Sequence, residues 1–356
     1  MLENRVKRLQ ELMSGRADYA IITVGPNFFY LTGKWPLSSM ERPFFLVVPQ
    51  SGEPFVLAPA LYESELKELK AEKIIYKDGD DPYALLRSRM KRGTILIDDG
   101  MLASHALRIQ MSFENSVFDL LSPLMLSIRA VKDREELESI RKACAIVDRT
   151  FERAIDEIYS GVTEAELAQI INDYMIYYGA SGPSFETIVA SGPNSAEPHH
   201  SSGPRRIRKG DAVVMDFGAR YRGYVSDITR TVLFGSATSE FLEVYDTVRR
   251  AQSSAIKGTR RGMEAREVDS IARGFIASRG MEGLFKHRTG HGIGIEVHEE
   301  PFLDPSNRMR LENGMTFTIE PGVYVEGKFG VRIEDDVVLL ERPRRLTRST
   351  RSLITI

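Results

Sequence analysis

The segments RKGDAVVMDFG (208–218) and ENGMTFTIEPG (312–322) repeat one arrangement, an acid six residues after one glycine and two before another: Gly210, Asp216 and Gly218, then Gly314, Glu320 and Gly322. Each runs on, across a glycine-containing turn, into a second apolar stretch that carries an acid, Asp227 in GYVSDITRT (223–231) and Glu334 in GVRIEDDVV (330–338). The chain therefore reads here as two hairpins of like construction, each presenting two carboxylates. Side chains alternate along a strand, so Asp216 shares a face with Ala212 and Val214 while Val213, Met215 and Phe217 point the other way. A carboxylate on a largely apolar strand is costly unless paired or coordinated, and four of them repel one another unless a cation lies between. Any one of these acids could simply sit at a strand end in water; their recurrence at matched positions is what points to bound metal.

A fifth candidate ligand lies in HRTGHGIGIEVHEEP (287–301), where glycines on both sides of His291 allow close approach of backbone and ion. His298 follows seven residues later, at the expected end of a short strand. Five of the six histidines fall between His199 and His298, which favours a shared site over scattered core packing. GHGIG is not a dinucleotide fingerprint, because its glycines alternate and no helix pattern begins there. DFG at 216–218 lacks the loops that accompany it in a kinase.

Around these hairpins the pattern is mixed α/β. Asp133 with Glu136, and Thr163 with Glu166, form capping-box patterns that open helices running toward Gly161 and Gly179. Two more helices are expected at about 239–258 and 264–279, with strands between and after. The first domain, 1–125, reads as an α/β unit with an amphipathic first helix and strands at Tyr19–Val24, Phe44–Pro49 and Phe55–Ala58. The last two are joined as a hairpin through Ser51–Glu53. Helices follow at Tyr62–Leu69 and Pro82–Met90, and a strand at 94–98. Its lone His105 reads as a satisfied core or surface residue. The second domain, 126–356, holds every candidate ligand.

Composition narrows the partners. Among 356 residues, 48 basic and 50 acidic side chains give a formal charge of −2, too even to draw the chain to nucleic acid or an anionic membrane. The basic stretch RPRRLTRSTR (342–351) reads as a solvated face. The single cysteine, Cys144, excludes an intramolecular disulfide and falls at a helical core position. A charged N-terminus and the absence of a long apolar run lead to the expectation of a soluble, cytoplasmic protein.

MDFGARYRGYVSDITRT, TGHGIGIEVHEEP, TIEPGVY and GVRIEDDVVL together resemble the metallopeptidases of the pita-bread fold, especially the Xaa-Pro dipeptidases (prolidases) and aminopeptidase P. The likeness runs from about Val131 to Leu340. NFFYLTG (27–33) extends it to a creatinase/prolidase-like N-terminal domain, which methionine aminopeptidases usually lack. The resemblance implies an α/β (α+β) chain with that domain followed by a pita-bread catalytic domain. It implies two divalent ions per subunit, with Asp216 on one, Asp227 and Glu334 bridging, and His291 and Glu320 on the other. Four carboxylates and one imidazole suit Mn2+ or Co2+, with Zn2+ and Fe2+ as alternatives. It also gives His199 and His298 contact with substrate or the tetrahedral intermediate, and Glu320 a proton-shuttling role. Arg332, two residues from Glu334 on one strand face, would orient that ligand or form a structural ion pair.

The expected reaction is hydrolysis of Xaa-Pro bonds, foremost in dipeptides. The alternatives are aminopeptidase P, a broader metallo-aminopeptidase, or a metal-free binding module of the same fold. Several archaeal prolidases carry Arg directly after the proline of the His-Glu-x-Pro motif, where this chain has Phe302, a departure that favours aminopeptidase P. One of His199, His200, Arg205 and Arg206 would then have to replace that arginine at the substrate carboxylate. Homodimers of the family bring an N-domain loop to a neighbouring pocket, which gives Trp35 a place beside the partner's substrate.

Overall fold

The computed structural model describes residues 2–36 and 41–356, and the chain divides into two units, Met1–Arg129 and Ala130–Ile356. In the first unit, strands β1 (Tyr19–Thr23), β2 (Phe45–Pro49), β3 (Phe55–Pro59), β4 (Glu72–Tyr76), β5 (Thr94–Ile97) and β6 (Val117–Leu120) form one sheet in the order β4-β3-β2-β1-β5-β6. β2 and β3 are the expected hairpin, with Phe45 opposite Leu57. β1 pairs antiparallel with β2 and parallel with β5, so the sheet is mixed. Helices α1 (Leu2–Met13), α2 (Pro26–Thr32), α3 (Pro82–Arg89), α4 (Ala103–Ser112) and α5 (Ser122–Ala130) complete this half. His105 is buried, with Nδ1 2.7 Å from the Tyr83 hydroxyl.

The helix expected over Tyr62–Leu69 does not form. A 3-10 turn at Ala60–Tyr62 passes into irregular turns instead. Only Leu66 and Leu69 of the stretch beyond Tyr62 are buried, among charged residues that face water. A tight turn satisfies that three-residue spacing without the cost of nucleating a helix.

The second unit holds helices α6 (Arg134–Ala154), α7 (Glu164–Tyr177), α8 (Ser239–Gly258) and α9 (Ala265–Ala277). Both expected capping boxes are present: the Asp133 carboxylate accepts from the Glu136 amide at 2.9 Å, and the Thr163 hydroxyl from the Glu166 amide at 3.1 Å, each answered by the glutamate side chain. The strands are β7 (Gly182–Pro183), β8 (Ile188–Ser191), β9 (Asp211–Phe217), β10 (Ala219–Tyr221), β11 (Tyr224–Val225), β12 (Ile228–Phe234), β13 (Gly290–Gly292), β14 (Glu299–Leu303), β15 (Thr316–Ile319), β16 (Gly322–Val325), β17 (Phe329–Arg332), β18 (Asp335–Leu339) and β19 (Pro343–Arg345). Two sheets carry the repeated hairpins, one ordered β12-β9-β8 and the other β14-β13-β15-β18-β19.

The echo in the sequence extends to the helices. Before α7, the Gly161 amide donates to Ile207 and the Ile207 amide to Val162, at 3.0 and 2.8 Å; before α9, Gly262 donates to Leu311 and Leu311 to Met263, at 2.7 and 2.8 Å. Thr163 bridges to Arg206 as Glu264 does to Arg310. The unit is thus two successive halves, each a pair of helices backing a hairpin. Val213, Met215 and Phe217 are wholly buried in the same cluster as Val147 and Phe151 of α6 and Ile171 of α7. Phe317 and Ile319 lie with Val268 and Ala272 of α9. At roughly 1.5–3 kcal/mol for each large apolar side chain buried, these residues fix the register, since a one-residue slip would turn them out and the acids in. No helix among the described residues is long and apolar enough to cross a membrane.

Candidate metal centre

The register delivers the acids in matched pairs. Asp216 is the penultimate residue of β9 and lies opposite Thr229 of β12, while Asp227 occupies the residue just before β12. Glu320 follows β15 directly, and Glu334 immediately precedes β18, whose Asp335 lies opposite Ile319. His291 is the middle residue of β13, its amide donating to the Thr318 hydroxyl at 3.1 Å. The flanking glycines are sterically required: a Cβ at Gly290 would lie 2.0 Å from the Thr318 carbonyl oxygen, and one at Gly292 would lie 2.2 Å from that of Glu300. His291 Nε2 stands 3.4 Å from Glu320 Oε1 and 3.6 Å from Asp227 Oδ2. Ligand atoms of Asp227, His291 and Glu334 lie within 4.8 Å of one another, all three residues being buried.

The electrostatics are those of an uncompensated cluster. Burial, then the charges of Glu334 and Asp216, push the Asp227 carboxyl well above the usual range. Burial and the charge of Glu320 do the same to Glu334. Glu320 is pushed up to about 7, chiefly by burial, with Arg332 opposing. One buried oxygen on each of Asp216, Asp227 and Glu334 has no hydrogen-bond partner among the described residues. His291 is held neutral, its pKa lowered to about 3 by burial and then by the facing His298. Its Nδ1 lies 3.1 Å from the Gly292 carbonyl, which can only accept, so the proton sits there and the Nε2 lone pair faces the carboxylates. Orphaned oxygens, mutually repelling acids and a bare imidazole nitrogen together fit divalent cations.

A supporting layer holds the acids in place. The Arg332 guanidinium bonds Asp216 directly, donates through Nε to Thr229 Oγ1 at 3.0 Å, and donates through Nη1 to the Tyr324 hydroxyl at 2.9 Å. Arg332 therefore reaches Glu334 only through Thr229, whose hydroxyl donates to Glu334 Oε2 at 2.5 Å; its immediate partner is the other hairpin's acid, because β17 and β9 lie side by side. Asp336 accepts from the Asp227 amide at 2.9 Å and from the Cys144 thiol at 3.3 Å, so the buried cysteine also donates a hydrogen bond.

The four acids and the His291 imidazole line a cavity of about 410 Å3 together with His199, His298 and Arg332. His298 sits not at a strand end but in the bend before β14, with its ring 4.3 Å from that of His291. The backbone turns there, Gly294 donating to Glu296, and no strand forms. His200 is directed away, its Nε2 2.8 Å from the buried Glu164. Arg205 is bidentate on Asp211, and Arg206 donates to the Gly161 carbonyl. Of the four residues expected near a substrate carboxylate, only His199 lines the cavity. Trp35 lies in the first unit, half exposed, with its ring 5.4 Å from that of Phe29; residues 37–40 lie outside the described ones.

Two of the cavity residues that escaped the sequence reading carry chemistry that can bear on a substrate. His287 shares the histidine cluster that was legible, but its role depends on Tyr324, a residue with no signal of its own. Its Nδ1 donates to the Arg288 carbonyl at 2.8 Å, so Nε2 accepts from the Tyr324 hydroxyl at 2.9 Å. Arg288 is the other, its guanidinium carbon 4.5 Å from the centre of the Phe302 ring.

Comparison with known proteins matches two families along the chain. The Creatinase/Prolidase N-terminal domain matches residues 5–131, and Metallopeptidase family M24 matches residues 138–341, more than half the chain. The sequence is 35% identical over 356 residues to the Xaa-Pro dipeptidase of Pyrococcus furiosus, covering 99% of this chain and 100% of that one. A solved prolidase from Thermococcus sibiricus is similar with a TM-score of 0.96 at 44% identity, covering 100% of this chain and 99% of the other. A dipeptidase structure from Pyrococcus horikoshii OT3 gives a TM-score of 0.95 at 42% identity, covering 99% and 100%.

Proposed function

This chain belongs to metallopeptidase family M24, with a creatinase/prolidase N-terminal domain ahead of the pita-bread domain, and from that premise we propose that it is an Xaa-Pro dipeptidase. The observation that carries the reading is the convergence of Asp216, Asp227, His291, Glu320 and Glu334 on one cavity, with unsatisfied oxygens on three of them. We assign these five as ligands of two divalent ions, Mn2+ or Co2+ being the best suited to so oxygen-rich a set. Bound ions would supply a nucleophilic water at neutral pH and polarise the scissile carbonyl.

The chain's own groups do the positioning. Arg332 and Thr229 hold Asp216 and Glu334; Asp336 holds the backbone of Asp227; the Gly292 carbonyl sets the tautomer of His291. Glu320, with its carboxyl near 7, is suited to taking up and returning a proton. His199 and His298 face the same space and are assigned to substrate contact. Phe185, Ile188 and Val297 give the cavity an apolar wall for a pyrrolidine ring. The bond cut is a tertiary amide, so the enzyme need not hold an N–H there. At about 410 Å3 the cavity is near the small end of the roughly 300–1,000 Å3 common to ligand pockets, which favours a short peptide. The buried, unpaired Cys144 accords with a reducing compartment, and we place the enzyme in the cytoplasm as a homodimer, to be checked by fractionation and sedimentation.

The test is a hydrolysis panel on metal-loaded protein comparing Xaa-Pro dipeptides, Xaa-Pro-Xaa tripeptides and dipeptides without proline, before and after chelation. Activity on Xaa-Pro dipeptides that chelation removes and Mn2+ or Co2+ restores is expected. Full activity in metal-free protein would overturn the metal reading, and equal or better cleavage of tripeptides would make the enzyme an aminopeptidase P.

A further inference from the structure

Two arginines line the cavity, and their circumstances differ. Arg332 is buried and its guanidinium is fully engaged by Asp216, Thr229 and Tyr324. Arg288 is half-buried, and its side chain makes no hydrogen bond or ion pair with any described residue. What fixes it is Phe302, over whose ring the guanidinium lies at 4.5 Å. The backbone enforces the stack: the Thr289 amide donates to the Leu303 carbonyl at 3.0 Å, placing residue 288 beside the end of β14. Phe302 is itself pinned, its amide donating to Glu300 Oε2 at 2.9 Å and its carbonyl accepting from Asn307 at 2.8 Å.

A guanidinium stacked on a ring keeps its N–H donors in plane and pointing outward, which is the geometry for a bidentate grip on a carboxylate. In a dipeptide cut at its only peptide bond, the C-terminal carboxylate is one residue from the scissile carbonyl; in a longer peptide an uncharged amide stands there instead. We propose that Arg288, held over the ring of Phe302, receives the C-terminal carboxylate of the substrate and so confines this site to dipeptides. The proposal rests on the dipeptidase reading and adds the residue that enforces it. Phe302 is then a platform for the cation.

The experiment compares an Xaa-Pro dipeptide with the same dipeptide as its C-terminal amide, on metal-loaded wild type and on Arg288→Ala, Arg288→Lys and Arg279→Ala. Arg279 is a suitable control, an exposed arginine over Phe275 that does not line the cavity. Wild type should favour the free acid by about ten- to a hundredfold in kcat/KM, the scale of a charge-assisted contact. Arg288→Ala should lose most of that preference through KM, with kcat and the constants for the amide moving by less than about threefold, and Arg288→Lys should keep part of it. On the unmodified enzyme, free proline should compete and prolinamide should not. Equal loss on acid and amide in Arg288→Ala, an unchanged KM for the acid, or equal competition by proline and prolinamide overturns the assignment. Failure of the dipeptidase reading shows separately, as wild type that cleaves the amide as well as the acid before any substitution.

Discussion

At the scale of single residues the centre stores repulsion that metal relieves. Asp227, Glu334 and Glu320 all bind protons more tightly in the fold than in the unfolded chain, first because they are buried. Such acids favour the folded state at low pH and weaken it as they are forced to ionise, so metal-free protein should lose stability as pH rises from about 4.5 toward about 7, the span over which the Glu320 carboxyl is shifted by burial. Divalent metal should abolish that slope and release protons as it binds, which thermal melts and calorimetry in two buffers would show; a flat profile without metal would contradict the cluster's electrostatics. Asp227→Asn separates stability from function. Removing one charge should make metal-free protein more stable at pH 8 than wild type while lowering turnover by at least about a hundredfold, whereas Asp119→Asn, on exposed β6, should change neither. The gathering of these acids in one place was legible because acids recur at matched distances from glycines. The partner of Arg332 was not, since alternation along one strand says nothing about which neighbouring strand lies beside it.

At the scale of elements, β13 shows how much a short strand can depend on having no side chains. It is three residues long, and both outer positions press against the carbonyls of neighbouring strands. Gly290→Ala should force β13 away from β15, costing about 1–3 kcal/mol or more and displacing His291. The expected result is a lowered melting temperature together with weaker Mn2+ binding; loss of one without the other would mean that the strand does not set the histidine. By contrast, Gly283→Ala, where a Cβ meets nothing within 4 Å, should be tolerated. Helix starts were read correctly because a capping box is a local code in four residues, as at Asp133 and Thr163. Tyr62–Leu69 forms turns because two buried leucines three apart satisfy a turn as well as a helix, and His298 falls in a bend because β13 ends at Gly292 and the backbone turns at Gly294.

At the scale of the whole molecule, duplication explains why so much of the fold could be read from two eleven-residue segments. Each half of the second unit backs its hairpin with two helices and delivers one acid near the end of a strand and another just before the partner strand. Arg288 lay beyond that logic, because its position follows from β13 and β14, which the repeat does not contain. The histidine follows the same exception. Where the second half sets His291 beside Thr318, the first half sets Ala190 opposite Val214, the residue matching Thr318 in the repeat. The two halves are therefore like two hands of which only one wears a glove: the carboxylates are shared evenly, but the single nitrogen donor belongs to one side. Ions entering the cluster cannot meet equivalent surroundings, so a calorimetric titration with Mn2+ should resolve two unequal steps. His291→Ala, which makes the halves alike at this position, should weaken one step and leave the other near its wild-type affinity, and a wild-type isotherm with two identical sites would show that the lone imidazole does not break the balance.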